Sequence, residues 1–319
     1  MKLIEVMRYA RVPILLNVNE EDDVLIVTDT DIEPLVHQSL AAAAFEVGAE
    51  AVVMVMTPRA VHGHEPPKPI AEAAKASDIL IGVTSTSMTH TEAVRKALSH
   101  GVKYVAMPYL TVDTLTKGAA TADYEEVYRL TKAVAGLLTE GERIRLTSGP
   151  GTDVSMSIKG RKGFVLAGRF EPGTIACFPD GEAPIAPVEG TAGGVVVFDA
   201  CIHGIGALRE PVRLVVRDGR AAEIRGGVEA QALKSMLETH GDGNSYNIAE
   251  FAIGTNPEAR LTGNVSEDKK GLGRVHIALG DNSTLSGRVR SKTHLDGVIL
   301  KPTVVIDDRV IVEHGLLKL

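Results

Sequence analysis

Tryptophan is absent from the 319 residues of this chain, and aromatic residues make up only 4%. So small an aromatic complement argues against the stacking platforms that hold single-stranded nucleic acid. Positive charge is also scarce: 34 Lys and Arg against 41 Asp and Glu leave a formal net charge of −7, which disfavours a polyanionic partner. The two cysteines, Cys177 and Cys201, are too few for a disulfide framework or a thiolate zinc site. Cys201-x-His203 reads as part of a buried strand. No apolar run approaches the length of a membrane span, and the start, "MKLIEVMRYARVPILLNVNEEDDV", lacks an apolar core followed by a small-residue cleavage site. A soluble, cytoplasmic protein is expected. No G-x-G-x-x-G follows the first strand pattern and no Walker-type loop occurs. "SGPGTD" (148–153) lies between apparent strands and reads as a turn, not a phosphate cradle.

What is present is ordinary globular composition, 44% hydrophobic and 24% charged, over a length that favours two domains. Residues 1 to 141 alternate strand and helix patterns. "VLIVTDT", "AVVMVM", "ILIGVT" and "KYVAMP" are apolar runs of the kind found in strands buried on both faces. Between them lie helical segments, the first capped by Asp31 with Pro34 near its start and Gly48 at its end. This alternation predicts a parallel sheet with right-handed crossovers, and ligands to such sheets sit beyond the carboxyl ends of the strands. From residue 142 to 319 short strands dominate, with an Asp218-Gly219 hairpin turn and one helix in "VEAQALKSMLETHG". The expected architecture is an N-terminal parallel α/β domain followed by a mostly antiparallel, β-rich (α+β) domain.

The second half places carboxylates and histidines beside apolar strands: Glu182, Glu250, His276, His294 and Asp296. His294-x-Asp296 puts both side chains on one face if that segment is extended. The set suits zinc, cobalt, manganese or ferrous iron. Two bridging carboxylates could hold a pair of ions with an activated water. Two His and one carboxylate make the facial triad of non-haem iron oxygenases. Each residue alone also has a plainer reading, as a solvated strand end or a hydrogen-bonded structural histidine. His62 and His64, in "VHGHEPPKP", read as part of a solvated loop.

Four phrases in order, "FPDGEAPIAP", "AEFAIGTNP", "HIALG" and "THLDGVI", resemble the aminopeptidase T family of metallopeptidases and its relatives, the 2,5-dihydroxypyridine 5,6-dioxygenases. The segment from "EPPKP" to "YLTVD" is similar to the same superfamily, so the likeness covers most of the chain. The peptidase pattern implies two divalent ions, zinc, cobalt or manganese, on Glu182, Glu250, His276, His294 and Asp296. Glu267, in "SEDKKGLG", could then serve as general base on a metal-bound water. The peptidases carry a Tyr a few residues after the "HIALG" His, where this chain has "GDNSTLSG". The dioxygenase branch implies one ferrous ion on His276, His294 and Asp296. Glu182 and Glu250 would then orient the histidines, and His90 would act as acid–base residue on a hydroxypyridine.

With both glutamates present, a metal-dependent hydrolase is the first expectation, and a ring-cleaving dioxygenase the second. A non-catalytic binding protein is the third. The expected partners are a short peptide or small molecule and, from open sheet edges, further copies of the chain.

Overall fold

The computed structural model describes residues 2–61, 63–170, 175–239 and 241–319. The chain forms two compact units, one of Met1–Thr121 with Ala167–Asp180, the other of Ala122–Leu166 with Gly181–Leu319.

The first unit is built on a five-stranded parallel sheet. Its strands run in the order Glu50–Met56, Asp23–Asp29, Ile79–Val83, Lys103–Ala106 and Ala176–Cys177. The apolar runs read as buried strands supply the first four. The fifth was expected in the β-rich half, but it pairs in parallel with Val105 and Ala106 and brings the chain back into the first unit. The Asn17 side chain secures that return, donating to the Gly168 carbonyl and accepting from the Phe170 amide. The helix Pro34–Glu46 is preceded by Glu33 rather than Asp31 and has no side-chain cap; Pro34 at its first turn needs none of the amide bonds a cap would satisfy. A helix that the sequence reading did not anticipate, Lys2–Asn17, carries Pro13 inside it. Its buried stripe is Val6, Ala10 and Ile14, spaced four apart.

The second unit holds an eight-stranded and a six-stranded sheet, both antiparallel where consecutive strands pair. It begins before residue 142, because the helix Tyr124–Glu140 belongs to it. Val134, Ala135 and Leu138 of that helix pack with Ile144, Leu146 and Ile253 in one apolar core. The turn at 148–152 closes a hairpin between Arg143–Thr147 and Asp153–Ser157. Asp218 and Gly219, both at positive φ, close another.

The six-stranded sheet positions the candidate site. Its four central and edge strands run His294–Ile299, Val275–Gly280, Ile248–Gly254 and Glu182–Ile185. Directly paired residues of antiparallel strands face the same side. Asp296 pairs with Ala278, His294 with Gly280, Glu250 with Ala278, Ala252 with His276, and Gly254 with Glu182. All five polar residues therefore lie on one face, separated only by Ala and Gly. The opposite face, with Ile185, Phe251, Ile253, Ile277, Leu279 and Ile299, enters the core. A bulge in the Ile248–Gly254 strand falls just before Glu250, the kind of irregularity that re-aims a side chain at a site.

Candidate metal centre

Five residues from four strands converge. Glu182, Glu250 and His276 bring one ligand atom each within 4.8 Å of one another, and so do Glu250, His294 and Asp296. Glu250 belongs to both groups. Its Oε1 lies 3.0 Å from His276 Nε2 and its Oε2 3.1 Å from His294 Nε2, so one carboxylate spans both imidazoles. Glu182 Oε2 lies 3.6 Å from His276 Nε2, and Asp296 Oδ1 lies 3.4 Å from His294 Nε2. Four of the five are buried, and His294 is 31% exposed at its side chain.

Hydrogen bonding shows that this cluster suits a cation. His294 Nδ1 lies 2.8 Å from the Asp281 carbonyl, which can only accept, so Nδ1 carries a proton. Nε2 is then left facing two carboxylates. A lone pair aimed at two anions demands positive charge between them, a proton or a metal ion. Burial alone would lower the His294 pKa, but Asp296 and Glu250 outweigh it and hold it well above the ordinary imidazole value. The carboxylates respond in the opposite direction. Burial pushes Glu250 up, but His276 and His294 pull it well below its ordinary range. Burial likewise raises Asp296, but Lys269 and His294 hold it well down. The buried oxygens Glu182 Oε2 and Asp296 Oδ1 have no hydrogen-bond partner, nor does His276 Nδ1. Buried carboxylate oxygens in that state are costly unless a cation faces them.

Two cations of the chain itself reach the cluster, and the sequence reading had not singled them out. Lys270 Nζ lies 2.7 Å from Glu182 Oε1. Lys269 Nζ lies 3.3 Å from the same oxygen and 3.0 Å from Asp296 Oδ2. Burial disfavours the Lys269 charge, but Asp296 and Glu182 more than offset it and raise its pKa well above the usual value. Both lysines follow a one-turn helix, Val265–Asp268, capped by the Asn264 side chain. Asp268 accepts from the Thr262 and Gly263 amides, and Arg274 donates to the carbonyls of Ala259, Arg260 and Asp268. The loop lies directly on the site face. A Cβ at Gly254 would come within 2.2 Å of the Gly271 carbonyl oxygen and 2.7 Å of that of Lys269. Only glycine there lets the loop descend far enough for the lysines to reach Glu182.

Glu267, expected as a general base, anchors this loop. Its Oε1 accepts from the Arg260 amide and Nε, and its Oε2 from Arg260 Nη2. It stands in neither three-donor group. His90 lies exposed in the first unit just before the helix Glu92–Ser99, and its carbonyl accepts from Arg95. The neighbouring Thr91 hydroxyl, not His90, caps that helix. His64 joins no three-donor group among the described residues, and His62 lies outside them.

The loop before His294 is clamped as well. Glu189 accepts from the Arg288 amide, from Asn282 Nδ2 and from Arg161. Burial acts to raise the Glu189 carboxyl, but these donors bring it down to about 2. A depressed carboxylate stabilises the fold above its unfolded pKa near 4.5, and that contribution is lost as pH falls toward 2. Glu189→Gln should therefore cost on the order of 2–3 kcal/mol at pH 7. In urea unfolding curves the gap between variant and wild type should shrink steadily from pH 5 to pH 2.

Buried His and carboxylate donors converging on the antiparallel half of such an α/β scaffold are the furniture of a metalloenzyme. Residues 6–318 match the family model described as NicX, 2,5-dihydroxypyridine 5,6-dioxygenase, and the chain belongs to that family. It is 23% identical over 256 residues to a 2,5-dihydroxypyridine 5,6-dioxygenase of Pseudomonas putida, a match covering 76% of this chain and 71% of the relative. The solved 2,5-dihydroxypyridine dioxygenase of Pseudomonas putida KT2440 superposes with a TM-score of 0.85 at 18% identity, covering 99% of this chain and 97% of that one. Wild-type AmpT of Thermus thermophilus, an aminopeptidase T, gives 0.74 at 17% identity, with 99% of each chain covered. These structural likenesses establish the fold, and both branches named by the resemblance share it. Among the described residues no helix is long and apolar enough to cross a membrane.

Proposed function

We propose that this protein is a non-haem ferrous dioxygenase that opens the ring of a dihydroxypyridine-type substrate, 2,5-dihydroxypyridine being the first candidate. The observation that carries this reading over the hydrolase is the pair of buried lysines. A dinuclear hydrolase needs Glu182 for its second ion, yet two ammonium groups already answer that carboxylate. What is left suits one ion. The resemblance assigns it to His276, His294 and Asp296; in the structure the donor atoms of His294 and Asp296 converge with Glu250, which also reaches His276. Two histidines and a carboxylate are the donor set of ferrous oxygenases. When bound, the ion supplies redox chemistry toward oxygen and a Lewis-acid site for a substrate oxygen.

The residues around it have separable tasks. The Asp281 carbonyl fixes the His294 tautomer, which keeps Nε2 free as a donor. Glu250 sets the angle of both rings. The three carboxylates and two lysines together leave one negative charge. A single divalent ion makes the centre cationic by one, a charge suited to a substrate phenolate. The missing Tyr after "HIALG" also fits a branch other than the peptidases. The acid–base role that the resemblance implies for His90 is kept in this reading as a proposal.

The test is an oxygen-electrode assay of protein loaded anaerobically with ferrous ion. Oxygen uptake dependent on both iron and 2,5-dihydroxypyridine or a related diol is expected. Aminoacyl-nitroanilide cleavage with zinc, cobalt or manganese, without such uptake, would restore the hydrolase reading. Activity in neither assay, with less than a small fraction of an ion per chain, would favour a binding protein.

A further inference from the structure

We propose that Lys269 and Lys270 limit the centre to one metal ion by standing in for a second cation, and that removing their charges uncovers a second metal site at Glu182, Glu250 and His276. The inference rests on the single-ion reading above and extends it to the residues that determine the ion count.

The sheet itself does not favour one ion. It offers two overlapping groups of three donors that share Glu250, the arrangement for two ions bridged by a carboxylate. The asymmetry comes from the loop. Both lysines touch Glu182 Oε1, while its other oxygen faces His276 with no hydrogen bond. Nor are these flexible surface lysines that a metal could push aside. Their side chains are 15% and 6% exposed, and their backbone is held by the Asn264 cap, the Asp268 bonds, the Arg274 bonds and the close contact over Gly254.

Charge explains why the two arrangements are alternatives. With the lysines in place, one divalent ion leaves the three carboxylates over-compensated by a single charge. A second ion would leave three positive charges in a buried site, where repulsion is weakly screened. Replacing both lysines by Met keeps much of their apolar length and removes two charges. Two divalent ions then restore the same net charge of one, and the five donors can divide into their two groups.

The experiment is a metal count. Wild type and the Lys269→Met/Lys270→Met variant are equilibrated with excess Mn(II), desalted and analysed by mass spectrometry for manganese per chain. One ion is expected in wild type and two in the variant, with the electron paramagnetic resonance signature of a coupled pair only in the latter. Adding Glu182→Gln to the double variant should return the count to one. If the double variant does not fold, Glu182→Gln alone decides: the single ion should be retained, because Glu182 is already answered by the lysines.

A folded double variant that still binds one ion, or loss of the ion in Glu182→Gln, would overturn the inference. Two ions in wild type would overturn it together with the single-ion count. One ion without oxygen uptake would instead overturn the ring-cleavage reading and leave this inference standing.

Discussion

Replacing His294 by Ala is expected to abolish ferrous-ion binding at micromolar metal and to reduce oxygen uptake by roughly 1000-fold or more. Disturbing only an outer partner of a ligating histidine costs about 10–100-fold in metal affinity or activity, and loss of the ligand itself should exceed that. The Glu250, His294 and Asp296 group loses its imidazole without His294. Its Nε2 is the donor atom aimed between Glu250 and Asp296, and its ring is oriented by the Asp281 carbonyl. The check is a pair of measurements on one preparation: iron per chain, and the rise in melting temperature on adding metal. Wild type should gain stability from metal, because a ligand that binds only the folded state shifts the equilibrium toward it. The variant should gain none. Full activity in His294→Ala would remove this residue from the centre.

The second large effect is expected at Glu250. Glu250→Leu removes the carboxylate that reaches both imidazoles while keeping a side chain of similar bulk. Metal affinity should fall by about 100-fold or more, since both histidines lose their common partner. The melting temperature of the metal-free protein should fall as well, because removing one partner from a buried charged cluster leaves the imidazoles without their counter-ion. Glu250→Gln, which keeps a polar group of the same shape between the rings, should recover most of that loss without recovering the metal affinity. That combination separates a damaged site from a damaged fold. Isothermal titration with Fe(II) or Mn(II), beside a thermal melt, reads both quantities.

The outcome at these two positions bears on how far the sequence could be read. The shared face of Glu182, Glu250, His276, His294 and Asp296 was legible because each sits at the edge of an apolar run that reads as a strand, and period-two alternation predicts which face it takes. "HIALG" shows this well: His276, Ala278 and Gly280 face the site, while Ile277 and Leu279 enter the core. The two-unit α/β and antiparallel organisation was legible for the same reason. The lysines were not. "SEDKKGLG" has the composition of a solvated charge cluster, and its charges acquire meaning only when the loop folds back over Gly254. That contact has no local spacing signal. The same loop pairs Glu267 with Arg260, which donates to both of its oxygens, a contact that the sequence does not signal. The one available hint was Gly254 in an otherwise apolar strand, since an isolated strand glycine often marks a close backbone approach. The helix Lys2–Asn17 was obscured by Pro13. The short strand Ala176–Cys177 was misassigned to the second half because two residues carry too little pattern to name their sheet.

The central claim is ring opening by both atoms of dioxygen at a single-ion centre. It is tested most directly by turnover of 2,5-dihydroxypyridine under ¹⁸O₂ with the ferrous protein, followed by mass spectrometry of the product. The account predicts a ring-opened product carrying two ¹⁸O atoms from the gas. Product that takes its new oxygen from labelled water, or no ring-opened product from protein holding its full complement of iron, would contradict it.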